Sequence, residues 1–238
     1  MGLEERQRAF NAAMERYERR TVYRLVGRAV SVSNLVLQGA LLAASWRSPI
    51  GVAGQLAAFA AAYVAADFVN GLVHLYMDGN DRYESALGPL VAAFHLHHQT
   101  PMYRRANLAA VYFNESGAKL WLVPWLLASL AAALWLPVPP AVAWGLAWFG
   151  VLSSVAEVSH YLCHAVHAGP VRFLRAAGLL LSERHHAPHH REENVNYAFL
   201  NGMSDPLLNA IARRWGRGYR HGTDLHYATY TGPGTSNR

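Results

Sequence analysis

Histidine stands out in this chain by number and by placement. The 238 residues include 13 histidines, against 21 Lys+Arg and 15 Asp+Glu. Eleven of the 13 fall in four clusters. These are His74-Leu-Tyr-Met-Asp78, His95-Leu-His97-His98, His160-Tyr-Leu-Cys-His164 with His167 following, and His185-His186-Ala-Pro-His189-His190. Residues four apart share a helical face, so His74/Asp78 and His160/His164 each form a two-pronged clamp. The spacing of His186, His189 and His190 puts at least two imidazoles on a common face. Neighbours such as His97 and His98 cannot point the same way on one helix. They suit two adjacent metals, or one ligand and one supporting group. Eight imidazoles (His74, His97, His98, His160, His164, His186, His189, His190) exceed what one ion accepts, so a two-metal centre is the economical reading.

Imidazole suits iron, zinc, copper and nickel. Thiolate ligation is not expected, because the single cysteine, Cys163, lies between His160 and His164 and points elsewhere. A nitrogen-rich set leaves the metal charge uncompensated, which favours a centre that accepts anionic oxygen species: dioxygen chemistry at iron. A zinc hydrolase would need a nearby Glu base, and no HExxH is present. His95 and His185 are weighed as extra members of their clusters. His167, His221 and His226 read as ordinary polar histidines.

The elements that must position these rings are apolar. Residues 30–46, 50–66, 120–136 and 138–156 carry no charge, and the second block stays apolar past Asp67 to Met77. A spanning helix needs about 20 mostly apolar residues, and with their flanks all four qualify. Only 15% of residues are charged, below the ~25% of average soluble domains. Burying four such blocks in a soluble protein needs a core that this chain cannot wrap. Several tryptophans near the block ends fit an interfacial belt. The net charge of +6 and pI of about 9.7 suit nucleic acid or an anionic membrane surface; the apolar blocks decide for the membrane, and no nucleic-acid partner is expected. With four spans, every Lys and Arg except Arg47 falls on one side, which the positive-inside rule makes cytoplasmic. All four histidine clusters fall on that side too. No cleavable leader is expected in the charged first 29 residues.

The expected architecture is an all-α integral membrane protein, with about four transmembrane helices and a cytoplasmic histidine-rich helical cap. Residues 1–29 form a cytoplasmic amphipathic segment, 30–204 the membrane domain with the metal site, and 205–238 a cytoplasmic helix and loose tail. Asp67 and Glu157 are acids inside apolar blocks, where charge is costly and usually functional. Either could accept the free ring N–H of a ligand histidine and fix its tautomer. Asn114 and Asn196 are water-bridged ligands or plain turn residues.

The order ADFVNGLVHLYMD, HLHHQTP, EVSHYLCH, SERHHAPHHREENVNY resembles the Kua/CarF-like lipid desaturases, which include plasmanylethanolamine desaturase and the plant trans-Δ3 palmitate desaturase. The resemblance runs from about Asp67 to about Tyr197. It implies that the eight histidines above are the catalytic metal ligands, with Asp78 as the accompanying acid and Tyr197 as a supporting residue. The family's proline after the last histidine pair is Glu193 here, and His95 and His185 are extra. The implied cofactor is a pair of iron ions with dioxygen as co-substrate. The implied reaction is desaturation of a lipid chain, with vinyl ether formation from a plasmanyl phospholipid in the plasmalogen branch. A cytochrome b5-like protein or ferredoxin would supply electrons. Arg104, Arg105 and Arg191, with Arg172 and Arg175, are candidates to hold a phosphate head group or dock the donor. The localisation implied is a bacterial inner membrane or its equivalent, with both termini cytoplasmic. Competing readings are a di-iron acyl desaturase or lipid hydroxylase and, outside enzymes, a metal transporter or signalling protein.

Overall fold

The computed structural model describes residues 2–99, 107–166, 168–192 and 194–215, apart from the side chains of Leu3, His97, Gln99 and Glu192. Arg104, Arg105, His167, Glu193, His221 and His226 lie outside the described residues, as does the expected tail. The described residues form helices and no strand: α1 (Leu3–Arg19), α2 (Thr21–Trp46), α3 (Gly51–Asp78), α4 (Gly88–Gln99), α5 (Leu108–Glu115) with the 3-10 turn Ser116–Ala118, α6 (Leu122–Trp135), α7 (Pro140–Ala165), α8 (Gly169–Ala176), α9 (Glu183–Glu192) and α10 (Asp205–Trp215).

Helices α2, α3 and α7 run for 26, 28 and 26 residues. At ~1.5 Å per residue each exceeds a hydrocarbon core of ~30 Å. The expected third block differs from a continuous span. Helix α6 has 14 residues and joins the preceding Leu108–Ala118 unit at a bend of 95°. The described residues thus hold three helices able to cross a membrane, or four if the bent pair counts as one span. The break falls at Lys119, whose ammonium is drawn inward to Glu157 at 2.8 Å and to Asn70 at 2.6 Å.

Helices α3 and α7 lie parallel. Gln55 meets Trp148 near their starts and Asn70 meets Ser153 further along. Helix α2 runs against them: Gln38 binds Gly150 and Ser154, and Ser45 binds the Ala143 carbonyl. Two parallel helices need a return between them, and α6 with its bend supplies it. Lipid tails give apolar side chains no advantage in pairing with one another, so contact between helices relies on small residues and interhelical hydrogen bonds. Helix α3 shows this along one stripe. Its buried positions Ala58, Ala62, Ala66, Asn70, His74 and Asp78 recur every four residues. Small where α3 packs, the stripe turns polar at its end and so delivers His74 and Asp78 inward.

The N-terminal segment contributes α1 and the start of α2. It breaks at Arg20, whose extended backbone (φ −101°, ψ 110°) ends α1, and α2 then runs on from Thr21 into the membrane block. Phe10, Ala13 and Met14 of α1 are buried with Tyr83, Val91 and Ala92, which docks α1 on α4.

Candidate metal centre

Two sets of ligand atoms gather where α3 and α7 end. One comprises His160, His164, His186 and His190; the other His74, Asp78, His98 and His189. Within each set the ligand atoms all lie within 4.8 Å of one another. The sets adjoin: the rings of His98 and His190 lie 5.2 Å apart between centroids, and those of His186 and His189 also 5.2 Å. Helix α9 contributes His186 and His190 to the first set and His189 to the second, so this one helix joins them.

The mixed set is anchored through backbone. His74 donates its Nδ1–H to the Tyr197 carbonyl at 2.8 Å, and His189 donates Nδ1–H to the Val195 carbonyl at 2.9 Å. These acceptors exist because the chain turns sharply after α9, with Asn194 and Asn196 at φ 46° and 60°, a conformation that asparagine tolerates better than most residues. Gly71 lets the turned-back segment lie close, since a Cβ there would stand 3.3 Å from the Ala198 backbone. With both Nδ1 protons committed, the Nε2 lone pairs of His74 and His189 face each other at 3.2 Å. The Oδ2 of buried Asp78 lies 3.5 Å and 3.6 Å from these two nitrogens and has no hydrogen-bond donor among the described residues. Oδ1 of the same carboxylate receives His98 Nε2 at 3.1 Å.

Facing lone pairs beside an unsatisfied carboxylate oxygen repel unless a cation lies among them. Protons do not fill that role well. Burial and the neighbouring imidazoles hold His98 and His189 well below the ordinary histidine range, and burial brings His190 to about 4. Neutral imidazole is the form that binds metal. In the all-histidine set, Nε2–Nε2 separations are 3.0 Å (His160–His186), 3.2 Å (His160–His164) and 3.0 Å (His186–His190). Two nitrogens bound at ~2.1 Å to one ion stand ~3.0 Å apart at a right angle and ~3.4 Å apart at the tetrahedral angle. Both sets therefore fit a metal ion by donor type and by spacing.

The remaining expected site residues fall in several places. His97 is on α4, and its side chain lies outside the described residues. Asp67 does not meet a ligand histidine. It accepts backbone N–H bonds from Asn201, Gly202 and Ser204 and the Ser204 hydroxyl, which fixes the loop before α10. Glu157 pairs with Lys119. Asn114 lines a cavity beside the centre. The Tyr197 ring stands edge-on to His74 and His189. Arg191 is exposed on α9, and the Arg175 guanidinium is taken by the Leu162 and Val166 carbonyls. His95 is buried and structural: it bonds the Tyr83 hydroxyl at 2.7 Å and the Met77 carbonyl at 2.8 Å, tying α4 to the end of α3. His185 reaches Asp205 at 2.6 Å. Lys119 carried no signal beyond its charge. It lies buried with its ammonium 4.8 Å from the Phe199 ring centroid, and that ring packs on both His74 and His160.

A cavity of about 480 Å³ adjoins both sets, with His74, His160 and Phe199 in its wall. Apolar side chains, including Leu90, Phe94, Phe113 and Leu120, make up much of the rest.

Long apolar helices ending in paired histidine groups define a multi-pass membrane protein with an end able to hold metal. The family model described as lipid desaturase domain matches residues 63–215, which covers α10 and every residue of both ligand sets. The chain belongs to this family, the Kua/CarF-like lipid desaturases, and is a membrane desaturase acting on lipid. Comparison with curated proteins and with solved structures gives no match.

Proposed function

We propose that the chain is an O2-dependent di-iron desaturase that converts a plasmanyl phospholipid to its plasmenyl form. The observation that carries this reading is the pair of adjoining ligand sets beside one apolar-walled cavity. His160, His164, His186 and His190 would hold one iron, and His74, Asp78, His98 and His189 the other, with His97 a further ligand. Bound iron would supply reductive activation of dioxygen. The overall change balances as one CH2–CH2 unit, one O2, two electrons and two protons giving one CH=CH unit and two waters.

The chain's own residues position and exclude. The cavity wall holds a lipid chain against His74, His160 and Phe199, because placement determines which hydrogens are removed. The Tyr197 and Val195 carbonyls fix two imidazoles with Nε2 turned inward. Lys119 pairs with Glu157, which lines the cavity, so the pair adds no net charge to the substrate path. The ligand sets sit at the ends of α3 and α7, not at mid-membrane. This favours a bond near the glycerol backbone, as the vinyl ether position is. We place that end on the cytoplasmic side, consistent with the arginines of α1, α8, α9 and α10, and at a bacterial inner membrane or its equivalent. A small electron-transfer protein of the cytochrome b5 or ferredoxin type is the proposed donor.

Lipid analysis of cells expressing the chain and its His164→Ala variant tests this reading. Acid-labile vinyl ethers in the first and not in the second are expected. A hydroxylated lipid, or another unsaturated lipid, would overturn the substrate assignment. No lipid change, with zinc in the purified protein, would overturn the reading altogether.

A further inference from the structure

The mouth of the cavity carries its own chemistry. Along α2 the cavity is lined by Arg24, Arg28, Val30 and Ser31. The two arginines are exposed, whereas Val30 and Ser31 are buried. One wall thus passes from solvent to interior over seven residues, ~10 Å of helix. Arg24 and Arg28 are four apart and share a face. Arg28 is also the last charged residue before the uncharged 30–46 block, which sets it at the boundary where lipid phosphates lie. Of the ion pairs among the described residues, none takes Arg24 or Arg28. Glu115 lines the same cavity, so these three groups leave the mouth net cationic. Tyr17 and Tyr23, stacked at 6.1 Å between centroids, also line it.

We infer that Arg24 and Arg28 form a head-group site that binds the phosphate of a membrane phospholipid whose chain enters the cavity toward His74 and His160. This rests on the reading that the cavity holds the substrate. Guanidinium forks match phosphate oxygens in pairs, and a phosphate pinned at the mouth fixes how far the attached chain reaches inward. These two residues then set which carbons lie beside the ligand sets. They are positioning residues.

The test is equilibrium binding of a fluorescent alkyl-acyl phospholipid, and of the matching alkyl-acyl glycerol without phosphate, to purified full-length protein in detergent. The R24Q/R28Q variant should bind the phospholipid at least ~10-fold more weakly, as expected for lost charge-assisted bonds, and the phosphate-free lipid as wild type does. R24K/R28K should fall between, since charge remains and the fork is lost. R8Q, which removes an exposed arginine on α1, should match wild type. Inorganic phosphate at millimolar concentration should not displace the lipid. Unchanged phospholipid binding by R24Q/R28Q, equal loss of both lipids, or displacement by phosphate alone would each overturn the inference. Should the double variant not fold, R24Q and R28Q singly should each weaken phospholipid binding by ~3-fold or more, and no change in either would overturn it. Binding needs no turnover, so a wild-type protein that makes no vinyl ether would defeat the proposed function while leaving this result decisive.

Discussion

The two ligand sets differ in how they are held. The all-histidine set takes two rings from consecutive turns of α7 and two from α9. The mixed set draws on α3, α4 and α9, includes the only carboxylate, and fixes two of its rings through backbone carbonyls. It is also the more enclosed, with three of four members buried against two of four in the other set. A set built from i, i+4 pairs needs only that two helices meet. A set drawn from three helices needs the whole cap assembled: α1 packed on α4, His95 tying α4 to α3, and the Asn194–Asn196 turn. The all-histidine set should therefore tolerate damage to the cap that the mixed set does not.

The largest effect that would sharpen this contrast comes from the ligands themselves. Asp78→Ala removes the one anionic ligand and should empty the mixed set, cutting product by more than ~100-fold, beyond the range for supporting partners. Metal content of the purified variant checks this. Lys119→Met leaves Glu157 without its partner and should destabilise the fold by ~3 kcal/mol. The Lys119→Met/Glu157→Gln double variant should recover part of that in thermal unfolding, and a double variant less stable than the single would contradict the pairing. His95→Phe should cost ~1–3 kcal/mol through the bonds lost to Tyr83 and Met77. Any metal loss should come from the mixed set, and loss from the all-histidine set would break the comparison.

Acid gives a smaller, graded effect. His190 has a folded-state pKa of about 4 against ~6.5 when unfolded. Between those values the unfolded chain binds more protons, so stability present above pH ~6.5 falls as pH drops toward 4 and levels off below. Protons also compete with metal in that window. Metal release monitored from pH 7 to 4 should begin with the less enclosed all-histidine set. Release from the mixed set first would contradict the contrast.

The parts of the site legible in the sequence are those that local spacing encodes. The clamps His74/Asp78 and His160/His164, and a common face for at least two of His186, His189 and His190, follow from helical periodicity. The uncharged blocks likewise announced α2, α3 and α7. Other features depend on contacts distant in sequence. The acceptors for His74 and His189 are main-chain carbonyls, which leave no residue-type signal beyond two asparagines. Asp67 lies two turns before His74 on the same helix, yet its partners come from residues 201–204, so helical spacing alone suggested the wrong neighbour. Lys119 looked like a loop charge, but it lies at the break before α6 with its ammonium turned inward to Glu157. Arg24 and Arg28 could not be told from other basic residues before the cavity was seen.

Metal stoichiometry by elemental analysis tests the central claim most directly. Wild-type protein should hold about two irons per chain, and His164→Ala and Asp78→Ala about one each, missing from different sets. One ion in wild type, or two retained in both variants, would contradict the account.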